Sequence, residues 1–138
     1  MTKLIRLKRL DDRGAAVIEM AFALPILIMM MWMIVQLGLV FRAMSGINHG
    51  LGEGARLATL YPQPDDDAIK AKISDAVYGI GPGSFNIKDP VEGVDLGANF
   101  LDLEVTYSQK TDLLIVPGPT ISVTRSKRVW VAPADVEA

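Results

Sequence analysis

Residues 20–41 read MAFALPILIMMMWMIVQLGLVF, twenty-two positions without one ionisable side chain. As an α-helix the run is roughly 33 Å long, enough for a hydrocarbon core of about 30 Å. It is apolar on every face, whereas the helix of a small soluble domain keeps a polar side, so it predicts a membrane span. Gln36 is the one strongly polar side chain within it. Pro25 lies five residues past its start, removes a backbone donor and is expected to kink the helix. Arg42 follows at once, with a side chain long enough to reach the headgroup level.

The flanks set the expected orientation. Residues 1–14, MTKLIRLKRLDDRG, carry Lys3, Arg6, Lys8, Arg9 and Arg13 against Asp11 and Asp12, while the rest of the chain is acidic and the total is −2. A basic excess before the span predicts a cytoplasmic N-terminus, with Arg42 onward outside. A secretory signal peptide is the competing reading. Its apolar region is usually about 7–15 residues long and ends in small residues, whereas this run is longer and ends in Leu-Val-Phe-Arg. The chain has 138 residues and no cysteine, which excludes a disulfide scaffold, a Cys-ligated zinc site and thiol catalysis. Its near-neutral charge argues against a general nucleic-acid binder.

One carboxylate, Glu19, stands at the lip of the span in Arg13-Gly14-Ala15-Ala16-Val17-Ile18-Glu19-Met20. Burying such a group is costly, which by itself places Glu19 in the interface. The pattern of basic leader, Gly, small and apolar residues, Glu and long apolar helix resembles the class III signal of type IV pilins and pseudopilins. That resemblance implies cleavage between Gly14 and Ala15 by a membrane aspartyl prepilin peptidase. Pilins often carry an aromatic residue directly after the Glu; here it is Met20, with Phe22 nearby. Over residues 13–62 the chain is similar to the TadE-like family of tight-adherence (Tad/Flp) pilus proteins. The shared marks are Arg-Gly-Ala-Ala before the Glu, Leu24-Pro25 within the span, and Ala55-Arg56 before the first soluble segment. Cleavage would free the α-amino group of Ala15, and a neighbour's Glu19 carboxylate is a natural partner for it in a staggered helix bundle. Glu19 is therefore a candidate register-setting residue.

Beyond Arg42, Ile47, Leu51, Ala55 and Ala58 continue an apolar stripe at helical spacing. Gly46, Gly50 and Gly54 recur every fourth residue, which fits either close helix approach or a frayed, bent helix. His49, the sole histidine, reads as a solvated helix residue. Tyr61-Pro62-Gln63-Pro64 ends the helix, and Asp65-Asp66-Asp67 opens a second as an N-terminal cap rather than a calcium loop. Ile69, Ile73, Ala76, Val77 and Ile80 are its expected buried face, and Gly79-Ile80-Gly81-Pro82-Gly83 its expected stop. Alternation predicts strands at 84–88, 99–109 and 120–131, with a turn over 95–98, and Leu113–Val116 reads as a short apolar stretch stopped by Pro117-Gly118-Pro119. Arg125, Lys127 and Arg128 read as a solvated strand edge, with a patch for anionic lipid or a pilus subunit as the other reading.

The expected fold class is α+β: a long N-terminal transmembrane helix continuing into a small pilin-like soluble domain with a second helix and three or four antiparallel strands. The expected division is a cytoplasmic leader over 1–14, the span and its extension over 15–60, and an extracytoplasmic domain over 61–138, ending in a loose tail over 133–138. No catalytic constellation, metal site or cofactor motif is visible, so neither enzyme activity nor a cofactor is expected. The resemblance implies a minor pilin or pseudopilin of a Tad/Flp pilus that serves surface adhesion. Its implied partners are the prepilin peptidase, other pilin subunits, the inner-membrane assembly platform and the lipid bilayer. Its implied place is the bacterial inner membrane, with the domain in the periplasm or carried outward in the pilus. An uncleaved interaction module of a secretion system, or a membrane-anchored adhesin domain, are the alternatives.

Overall fold

The computed structural model describes residues 12–114 and 116–132; the basic positions Lys3, Arg6, Lys8 and Arg9 and the tail 133–138 lie outside them. A single helix, α1 (Asp12–Ala58), carries Pro25 within it. Its two halves meet different surroundings. Val17, Phe22, Leu27, Met31 and Ile34 are exposed, and little of the apolar run is buried. From Gln36 onward one face closes: Gln36, Val40, Ala43, Met44, Ile47, Leu51, Ala55 and Ala58 are buried at steps of three and four. The span expected to end at Phe41 therefore overlaps the folded domain, which already grips the helix at Gln36.

The helix α2 (Asp66–Ala76) packs along this second half. Asp65 is its N-cap and accepts a hydrogen bond from the Ala68 N–H at 2.9 Å, while Asp66 and Asp67 sit at the positive end of the helix dipole. The glycine spacing is realised as a close approach within the chain. A Cβ at Gly46 would fall 2.7 Å from the carbonyl carbon of Tyr78, one at Gly50 2.9 Å from the Ile73 carbonyl oxygen, and one at Gly54 on the Ile73 side chain. The groove admits the partner because these three residues have no side chain. Ile69 and Ile73 are fully buried, as the pattern predicted, but α2 stops at Ala76. Val77 is already extended (φ −71°, ψ 135°), and the chain must straighten there to lay the Tyr78 backbone over Gly46. Gly79 turns it away with a φ of 69°.

Four strands follow: β1 (Ser84–Ile87), β2 (Val91–Asp95), β3 (Ala98–Asp112) and β4 (Pro117–Trp130). All pairings are antiparallel and centre on β3. Along one side of β3 lie β2, opposite 98–102, and then β1, opposite 105–108; β4 runs along the other. Leu101, Leu103, Val105, Tyr107 and Gln109 point to the helices, the face that alternation predicts. Each large apolar side chain buried in this layer contributes roughly 1.5–3 kcal/mol. The outward face is polar: Asp102 pairs with Arg128, Thr106 with Thr124 at 3.0 Å and Ser108 with Ser122 at 3.3 Å.

Two features depart from the sequence reading. Val91–Asp95 is a strand, missed because Glu92, Gly93 and Asp95 hide its alternation; it is held by a two-residue turn with Leu96 and Gly97 both at positive φ. Pro117-Gly118-Pro119 does not interrupt the sheet but begins β4, beside a register shift at Lys110–Asp112. Strand β4 lies at the sheet edge, where a missing N–H breaks no ladder, and the Pro119 carbonyl accepts from Thr111 Oγ1 at 2.6 Å.

Candidate functional site

The residues singled out near the N-terminus all lie on α1. Gly14, Ala15 and Glu19 are exposed in its first two turns, and Ala15 and Glu19 stand one turn apart. Among the described residues, a Cβ at Gly14 would meet nothing within 4 Å. Packing inside the chain therefore gives no reason for a glycine there, in contrast to Gly46, Gly50 and Gly54. Pro25 lies in the exposed apolar stretch.

Gln36 acquires a partner that the sequence did not reveal. Its side-chain oxygen accepts from the Asp112 N–H at 2.9 Å, and its nitrogen donates to the Asp112 carbonyl oxygen. Both ends of the amide are thus matched by the backbone of one residue at the end of β3, seventy-six positions on. A lone amide in an apolar helix was the available signal; its partner depends on how far β3 extends. The β3–β4 turn beyond Asp112 is apolar. Leu114 and Val116 are exposed and Leu113 half-buried. Leu113, Met33 and Leu37 line one small apolar groove between the turn and α1.

Charged groups elsewhere lie at the surface. Arg56 pairs with Glu53 at 3.1 Å, holding that carboxyl below the usual range, and Lys72 approaches Glu53 at 3.9 Å. Lys70 bridges Asp67 and Asp89 at 2.9 and 2.8 Å, which raises the ammonium and lowers the Asp89 carboxyl. Arg128 donates twice to Asp102, at 2.9 and 2.8 Å, and lies 3.8 Å over the Phe100 ring, so the basic stretch of β4 is partly occupied by its own sheet. Among the described residues these pairs lie within one helix or join neighbouring segments, and they converge on no cleft. Among the described residues no group of three His, Asp or Glu side chains is placed to hold a metal ion. His49 is exposed, its ring 5.7 Å from that of Tyr78.

Two properties of α1 thus stand together: the helix is long and apolar enough to cross a membrane, with its first half exposed, and its glycine-lined second half seats a folded domain. Residues 14–56 match the TadE family, described as TadE-like protein. This segment is TadE-like. The match starts at Gly14 and ends at Arg56, so the TadE-like region takes in both halves of the helix and leaves the sheet outside it. It ties the chain to the Tad pilus machinery in general. No curated protein and no solved structure was found that matches the chain.

Proposed function

We propose that this chain is a minor pilin or pseudopilin of a Tad/Flp-type pilus, held in the inner membrane by α1 and processed between Gly14 and Ala15 by the prepilin peptidase. The observation that carries the reading is the TadE-like match over a helix whose first half is apolar and uncovered. Gly14 adds support, because packing among the described residues does not require it. The scissile bond falls in the first helical turn, where opening the backbone for a protease costs least. The signal-peptide reading is disfavoured, since removing the apolar run would take Gln36 and Val40 from the folded domain.

In this reading the leader is cytoplasmic and the domain periplasmic, or outward on the pilus. The new α-amino group of Ala15 meets the Glu19 carboxylate of a neighbouring pilin, so that register is set by one charge pair among apolar helices. Other pilin subunits and the assembly platform are the partners, and surface adhesion is the outcome served. No catalytic or cofactor role is assigned. The intact mass of the membrane-extracted chain, made with and without the peptidase, is the test. Loss of residues 1–14 only with the peptidase is expected; a full-length chain in both cases rejects processing and favours the uncleaved interaction module. Glu19→Ala is expected to be cleaved yet poorly incorporated into pili, and normal incorporation rejects the register role.

A further inference from the structure

We infer that the β3–β4 turn is a second membrane contact: Leu113, Leu114 and Val116 dip into the lipid bilayer beside α1, on the side where the folded domain sits. The inference rests on α1 crossing the membrane, and it follows from helix length. Glu19 to Gln36 spans seventeen residues, which is roughly 26 Å, short of a hydrocarbon core of about 30 Å. With Glu19 at one boundary, the opposite boundary falls near Leu39, past the point where Gln36 holds Asp112. Sliding the helix so that the turn stays in water carries Glu19 about one turn into the core instead, which a carboxylate resists.

The turn is built for such a place. Its Leu113 N–H bonds the Val116 carbonyl at 3.0 Å, and its Leu114 N–H bonds Asp112 Oδ1 at 2.8 Å, so these two donors need no water. Gln36, the polar side chain at this depth on α1, is matched on both atoms. Leu113 shares its groove with Met33, one turn nearer the span than Gln36, so the turn reaches past the Gln36 level. The Asp112 carboxylate is held by the Leu114 N–H at the base of the turn, and Lys110, the next exposed charge back along β3, stands at the rim, where headgroups lie. The occupant is therefore the bilayer that holds α1, because the exposed apolar surface of the turn is continuous with that of the helix.

The absence of cysteine allows clean labelling. Leu27→Cys, Leu114→Cys, Val116→Cys and Leu96→Cys, each in the full chain, carry an environment-sensitive nitrobenzoxadiazole dye in phosphatidylcholine–phosphatidylglycerol vesicles. Some vesicles contain lipids with a nitroxide at acyl carbon 5 or 12. Leu96 is fully exposed at the far end of β3, roughly 45 Å from the turn, and serves as the aqueous reference. The dye at 27 should be quenched most by carbon 12. The dyes at 114 and 116 should be blue-shifted and quenched most by carbon 5, and the dye at 96 not quenched. If 27 is quenched while 114 and 116 behave like 96, the turn stays in water and the inference fails. If 27 is not quenched, the membrane span itself is wrong.

Discussion

The glycine groove offers a sharp test, because two glycines six residues apart on one helix should respond to the same methyl group in opposite ways. In an exposed helix position, Gly→Ala gains about 0.8–1.0 kcal/mol from reduced backbone freedom. At Gly52 the new Cβ would meet only the Lys127 ammonium nitrogen at 3.9 Å, so Gly52→Ala should keep the whole gain. At Gly46 it would lie 2.7 Å from the Tyr78 carbonyl carbon and 3.0 Å from its nitrogen. Those atoms are backbone, and Gly79 at φ 69° and the Arg42 side chain pin the chain just after them, so the obstacle cannot rotate aside. Overpacking of this kind costs about 1–3 kcal/mol, and the upper end applies where backbone must move. Net, Gly46→Ala should lose on the order of 1–2 kcal/mol. For a domain of this size 1 kcal/mol moves Tm by about 4–8 °C. Thermal unfolding of the full chain in detergent, followed by near-ultraviolet circular dichroism, should show Gly52→Ala several degrees above the parent and Gly46→Ala well below it. Gly54→Ala should fall between, since Ile73 is a side chain that can shift. Equal rises for Gly46→Ala and Gly52→Ala would refute the groove as the reason for the glycines.

Further outcomes follow from the sheet and the surface pairs. Tyr107 is buried, its hydroxyl within reach of the Ile80 carbonyl and Gln109 Oε1, so Tyr107→Phe should cost about 1 kcal/mol in the same melt. Among the described residues Gln109 Nε2 has no partner, so Gln109→Met, which removes a buried polar atom while keeping the volume, should be neutral or stabilising. Leu96 holds φ 50° in a turn that favours Asn, and Leu96→Asn should raise stability by up to about 1 kcal/mol; a lower Tm would contradict the strain argument. Asp89 and Asp102 are held below the ordinary carboxylate range by Lys70 and Arg128. Their contribution is full above the unfolded value, near pH 4, and is lost as pH falls through the lower folded values. On the acid side, melts should therefore drop as pH falls below about 4, and Asp102→Asn should flatten part of that drop.

What could be read from the chain alone was what repeats locally. The apolar run, the stripe Ile47-Leu51-Ala55-Ala58, the Asp65 cap and the alternation from Leu101 to Tyr107 each announce themselves within a few turns or residues, and the structure carries them as expected. Features that depend on a distant partner were harder to see. The groove function of Gly46, Gly50 and Gly54 needs Ile73 and Tyr78, the end of α2 is set by the crossing over Gly46, and β2 exists because β3 offers it an edge. At the candidate site the same division holds. Glu19 and Gly14 stand out by type and spacing, whereas the role of Gln36 needs Asp112, whose position depends on fifteen residues of strand. Pro117 and Pro119 misled because a proline breaks a central strand but not an edge.

The continuity of α1 from the exposed stretch into the groove has a mechanical consequence. No loop separates the exposed apolar part of the helix, which could anchor it in a membrane, from the part that forms the domain's spine. Any tilt or axial rotation of the anchor is thereby a tilt or rotation of the sheet, and a pull along the helix loads the α1–α2 seam in shear. A chain built this way carries the orientation of its first turns directly to the face of its sheet.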